Sequence, residues 1–133
     1  MKFPTFLNFF GDVNFRGDCP KESAEQVTFF NWVRKTPYGT IAIHIRNEGK
    51  RNHMQAARQK VEGMCVGASD IIIPGRVTFV CELKRQDHTK SRWQKGQLEF
   101  LKTAHDNGAF TCVALGHKAA EQAFNEWRKQ NDN

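Results

Sequence analysis

The sequence predicts a single α/β domain with a mixed central β-sheet flanked by helices. Three observations carry that expectation. Two apolar runs of strand length meet at Pro74-Gly75, a turn signal that would fold them into a hairpin. A third continuous apolar run spans Ala109 to Leu115. Between the second and third runs lies a segment of helical period, and a strand-helix-strand path calls for a parallel pair with a right-handed crossover.

Each element follows from local pattern. Pro20 opens a helix through about Lys35, because proline is tolerated in a first turn, and Pro37-Tyr38-Gly39 ends it. Thr40 to Arg46 alternates, with Ile41, Ile43 and Ile45 on one side and Ala42, His44 and Arg46 on the other, as a half-buried strand does. From Asn52 to Met64 the apolar positions Met54, Ala57, Val61 and Met64 recur at helical spacing. A helix from Ser91 to about His105 carries Trp93, Gln97, Phe100, Leu101 and Ala104 on one side. A last amphipathic helix carries Ala120, Phe124 and Trp127. The resulting order is α-β-α-β-β-α-β-α. Ahead of it lies a Phe-rich segment, residues 1–18, read as separate from a main domain over 19–133; it either packs on its own domain or covers a partner subunit.

Composition narrows the class. At 133 residues the chain is long enough to bury a core. No apolar run approaches membrane-spanning length, and no basic region followed by an apolar stretch marks an export signal. Four scattered cysteines form no C-x-x-C or zinc spacing; Cys81 and Cys112 read as reduced core residues, which fits a cytoplasmic protein. The net charge of +6 and pI near 9.4 favour a polyanionic partner. Lys50, Arg51, Arg58, Arg85, Lys90 and Arg92 flank the acidic residues Asp70 and Glu82 on either side, an arrangement suited to a chain of phosphates.

The chemistry centres on Asp70 and the triplet Glu82-Leu83-Lys84. Alternation sends Val77, Phe79, Cys81 and Leu83 to one face, so Glu82 and Lys84 share the other. A hairpin about Pro74-Gly75 brings Asp70 near Glu82, and two carboxylates beside a buried sheet cost stability unless a cation or a partner is held there. Glu22, Glu25 and Gln26 on the first helix and Gln94 on the third could converge on the same place. Acidic residues also favour a helix first turn for its dipole, and Ser91-Arg92-Trp93-Gln94 is equally a capping box. His44, on the polar face of its strand, could approach the site or be a hydrogen-bonded spectator. No P-loop, dinucleotide or nucleophile-elbow motif occurs.

From Glu22 to about Ala123 the chain resembles the VRR-NUC branch of the PD-(D/E)xK nucleases, and small stand-alone members encoded by phages and bacteria in particular. The resemblance rests on E-S-A-E-Q, A-I-H-I-R-N-E-G-K-R, A-A-R-Q-K-V-E-G-M-C-V-G-A-S-D-I-I-I-P, F-V-C-E-L-K-R, S-R-W-Q and G-A-F-T-C-V-A-L-G, in that order. It implies a restriction-endonuclease-like core and a metal-dependent DNA endonuclease. Asp70, Glu82 and the Leu83 carbonyl would bind Mg²⁺ or Mn²⁺. Glu22 would contact the metal or its water, Lys84 would act on the attacking water and the phosphate, and Gln94 would position Lys84 or the substrate. Spacing to Gln26 favours Glu22 as the first-helix acid, with Glu25 a substitute. Where the family usually has proline before the catalytic aspartate, this chain has Ser69. Small relatives resemble junction resolvases and act as homodimers, so branched DNA cut by a homodimer is the sharper expectation. A non-catalytic DNA-binding module and a sequence-reading restriction-type nuclease are the alternatives.

Overall fold

The computed structural model describes residues 1–45 and 53–133. Among them the order is β1 (Asn8–Phe10), α1 (Glu22–Val33), β2 (Ile43–His44), α2 (His53–Val61), β3 (Ile71–Ile73), β4 (Phe79–Lys84), α3 (Gln97–Asp106), β5 (Phe110–Leu115) and α4 (His117–Asn131), with a single 3₁₀ turn at His88–Lys90. The expected order is present, and β1 adds a strand from the Phe-rich segment. The strands form one mixed sheet, β1-β5-β4-β3-β2. β4 pairs antiparallel with β3 across the Pro74-Gly75 turn and parallel with β5 through the α3 connection. β1 lies parallel to β5 at the sheet edge, so residues 1–18 contribute to the domain's own sheet.

Both faces of the sheet are covered. On one, Phe79, Cys81 and Leu83 of β4 pack with Phe29 and Val33 of α1 and with Phe124 and Trp127 of α4. All seven are fully buried, and a buried Phe, Leu or Val side chain stabilises by roughly 1.5–3 kcal/mol. On the other face, Val80 and Val113 pack with Leu101 of α3 and with Leu7, Phe3, Phe6 and Phe9 of the N-terminal segment. Every residue of β4 is buried, so the face that carries Glu82 and Lys84 is itself covered. Cys81 and Cys112 are free thiols, buried opposite one another in register on β4 and β5.

Three local expectations are corrected. The third helix begins at Gln97 rather than Ser91, so Ser91 and Gln94 do not form a capping box. Its N-cap is Gly96, which has φ 85°, and Gly67 crosses it with φ 84°. A Cβ on Gly67 would collide with the Gly96 backbone, so two left-handed glycines permit this close crossing. Of the strand expected over 40–46, the described part forms strand at Ile43–His44, with the Ile45 N–H donating to the Asp70 carbonyl just beyond it; Ala42 is its buried residue, while Ile41 and Ile43 are exposed. Helix α2 forms, but Met54 and Val61 of its stripe are not buried: Met54 is 82% exposed and Val61 88%. Among the described residues no helix is long and apolar enough to cross a membrane.

Candidate active site

Register places the acidic residues. Ile71 lies opposite Cys81, so Asp70 and Glu82 are the next pair along the hairpin. Asp70 Oδ2 accepts a hydrogen bond from the Leu83 N–H at 2.9 Å, which fixes the aspartate against β4. Glu82 is fully buried; its Oε1 accepts from Gln97 Nε2 at 3.0 Å, while its Oε2 is buried with no hydrogen-bond partner. Burial pushes the Glu82 carboxyl well above its ordinary range, and the Asp70 carboxylate beside it adds to that rise. The Lys84 ammonium at 3.9 Å pulls the other way and is outweighed.

Lys84 is 2% exposed, yet its end reaches the cleft. Its Nζ donates to the Arg92 carbonyl and to Gln97 Oε1, both at 2.9 Å, and lies 5.3 Å from the Trp93 ring centre. Two of the three ammonium donors are spent in these bonds, and one is left to face the cleft. The Gln97 amide therefore bridges Lys84 and Glu82, and the Gln94 N–H donates to the same Oε1 at 2.7 Å.

A cleft of about 960 Å³ gathers the remaining groups: Glu22 and Gln26 from α1, His44, Asp70, Lys84, Gln94 and Gln97, with Lys21 and Lys95 also lining it. Glu22 accepts a hydrogen bond from Ser91 Oγ at 3.1 Å, and its charge reaches Glu82. Glu25 goes elsewhere. Its buried carboxylate accepts the His117 N–H at 2.5 Å and lies 3.3 Å from His117 Nδ1, so it caps α4. His44 Nδ1 is 3.0 Å from the Asp70 carbonyl, beside the acidic pair.

The basic residues divide. Lys50 and Arg51 lie outside the described residues. Arg58 is exposed on α2 and pairs with Glu62, and Lys90 and Arg92 are exposed after β4. Arg85 spends its guanidinium on the Pro20 and Cys19 carbonyls. Gln97 is the site residue that spacing did not single out. Its signal was Gly96, a helix-start break directly before it.

The donor set suits a hard divalent cation. Glu82 Oε2 is an orphaned buried acceptor beside a second carboxylate, an arrangement that a bound cation would neutralise. Among the described residues no group of three His, Cys, Asp or Glu side chains forms a metal cage. The side-chain share of such a site would be a carboxylate pair, which suits an ion that keeps waters and substrate phosphate oxygens in its shell.

A mixed-sheet α/β domain with two carboxylates and a buried lysine at one strand end is the class that fold and site define. A solved structure described as a VRR_NUC domain protein is similar to it, with a TM-score of 0.69, 21% identity, and coverage of 84% of this chain and 91% of that one. No family model matches the chain, and no curated protein matches it in sequence. The chain has the VRR_NUC fold, the one its sequence resemblance implies.

Proposed function

We propose that the protein is a metal-dependent DNA endonuclease that hydrolyses phosphodiester bonds in branched DNA as a homodimer. The observation that carries the reading is the half-buried Asp70 on the cleft wall, the buried Glu82 behind it, and a lysine whose ammonium is clamped toward the same cleft. Asp70 and Glu82, with the Leu83 carbonyl, would hold Mg²⁺ or Mn²⁺. Such an ion supplies Lewis-acid stabilisation of the charge that builds on the phosphate under attack.

The chain's own groups do the rest. The free N–H of Lys84 donates to a phosphate oxygen or orients the attacking water. Gln97 holds Lys84 and Glu82 through its two amide atoms, so neither has to reorganise as charge develops. Glu22 orients water at the cleft mouth, and the Gln94 side chain faces the substrate. Lys21 and Lys95 on the cleft wall add phosphate contacts to those expected of Lys50, Arg51, Arg58, Lys90 and Arg92.

One domain of this size carries one such site, so symmetric cutting of two strands calls for a second copy. We place the dimer contact on the Phe-rich segment, whose β1 forms one edge of the sheet. The test is a panel of four-way junction, flap, nicked, duplex and single-stranded DNA with Mg²⁺ or Mn²⁺, alongside light scattering for mass. Metal-dependent cutting strongest on the junction by a dimer supports the reading. Intact DNA across the whole panel ends it.

A further inference from the structure

We propose that Trp93 is a positioning residue for Lys84, and that residues 1–20 act through the loop around it as a strap on the active site. The inference rests on the nuclease reading of Lys84 given above. Its basis is how the loop between β4 and α3 is held. Residues 85–96 contain only the single turn His88–Lys90, yet this loop supplies two of the groups around the Lys84 ammonium: the Arg92 carbonyl at 2.9 Å and the Trp93 ring at 5.3 Å. A loop with so little regular structure needs outside attachments to hold an ammonium in place.

Those attachments come from the first twenty residues. Trp93 Nε1 donates to the Lys2 carbonyl at 2.7 Å. Asp87 Oδ2 accepts the Gly17 N–H at 3.0 Å, and the same side chain accepts from Thr89 N at 3.0 Å and from Thr89 Oγ1 at 2.6 Å. Arg85 donates to the Pro20 and Cys19 carbonyls at 3.1 and 2.7 Å. Phe3 packs edge-on against His88 with ring centres 5.3 Å apart. The contacts run from one end of the loop to the other, and Trp93 is where they meet the ammonium.

The geometry separates two parts of the tryptophan. Its ring face lies toward a cation, where an aromatic quadrupole attracts the charge. Its N–H is spent on the strap. A phenylalanine keeps the face and loses the N–H; a leucine keeps apolar bulk and loses both. Trp93 does not line the cleft and lies against Lys84, so its effect reaches the reaction through Lys84.

The test uses full-length protein carrying Trp93→Leu, Trp93→Phe or Phe3→Ala, with folding checked by circular dichroism. Single-turnover cleavage and amine-selective ¹⁵N–¹H NMR are read on each, the Lys84 ammonium signal being assigned by its absence in Lys84→Arg. Trp93→Leu is expected to lower the single-turnover rate constant about tenfold with the half-saturating protein concentration nearly unchanged, and Trp93→Phe, which keeps the ring face and loses one strap bond, to lose clearly less. The Lys84 signal is expected in wild type and Trp93→Phe and broadened in Trp93→Leu and Phe3→Ala. Equal loss in the Leu and Phe variants overturns the inference, as does a Leu variant that keeps both signal and rate. A wild-type ammonium exchanging too fast to be seen also contradicts a clamped Lys84. If Trp93→Leu does not fold, the Phe and Phe3→Ala variants carry the test. If wild type cuts no DNA while the spectra behave as expected, the positioning role stands and the nuclease reading fails.

Discussion

Gln97 Oε1 accepts a hydrogen bond from Lys84 Nζ at 2.9 Å, and the same amide donates to Glu82 at 3.0 Å. One side chain thereby sets the spacing between the buried acid and the buried base. Replacing it with alanine leaves a buried ammonium short of an acceptor and Glu82 without its amide donor. Gln97→Ala is expected to lower the single-turnover cleavage rate by about a hundredfold, whereas Gln94→Ala stays within about threefold. Single-turnover rates on one DNA substrate check both.

Glu82 sets a pH and metal dependence. Its folded-state carboxyl is raised above the ordinary range by burial and by Asp70. The unfolded chain therefore releases this proton first as pH rises, and stability falls from the ordinary carboxylate pKa up to the raised folded one. Glu82→Gln removes that loss. Without metal, its Tm at pH 7 is expected above that of wild type, with activity abolished. Added Mn²⁺ should raise the Tm of wild type and not of the variant, because binding stabilises only a protein that holds the ion. Thermal denaturation with and without Mn²⁺ reads both effects.

Asp87 gives the opposite sign. The Thr89 hydroxyl and the Gly17 N–H hold its carboxyl down to about 2. Its contribution is present above the unfolded value near 3.9 and is lost as pH falls through about 2. Acid titration of wild type is expected to lose stability across that window, and Asp87→Asn to lose less while starting lower at neutral pH.

Ser69, next to Asp70, is fully buried with its hydroxyl unpartnered. An unsatisfied buried hydroxyl costs about 1–3 kcal/mol, so Ser69→Ala is expected to be neutral or stabilising by up to about 1 kcal/mol, with cleavage retained. Urea denaturation measures the difference. A clear loss of stability would mean that the hydroxyl has a partner.

The sheet was legible in the sequence because its signals are local. Pro74-Gly75 fixed the hairpin, and with it the approach of Asp70 to Glu82, while the run from Ala109 to Leu115 marked β5. The third helix misled because Ser91-x-x-Gln94 has the spacing of a capping box, while Ser91 bonds Glu22 across the cleft and the helix waits for Gly96. That shift makes Gln97, and not Gln94, the amide whose side chain bonds Lys84 and Glu82. Spacing to Gln26 favoured Glu22 and left Glu25 as a substitute, because the role of Glu25 depends on His117, far along the chain. The α2 stripe has helical period, yet its Met54 and Val61 are exposed, because periodicity alone does not say what a stripe faces.

The central claim is that Asp70, Glu82 and Lys84 form one metal-assisted hydrolytic site. Single-turnover cleavage of an end-labelled four-way junction by wild type and Lys84→Ala, with Mn²⁺ and with EDTA, tests it most directly, alongside junction binding in Ca²⁺. The expected result is cutting by wild type with Mn²⁺ alone, and a Lys84→Ala protein that binds the junction but cuts it at least about a thousandfold more slowly. A Lys84→Ala protein that cuts as fast as wild type, or wild type that cuts equally well in EDTA, would contradict it.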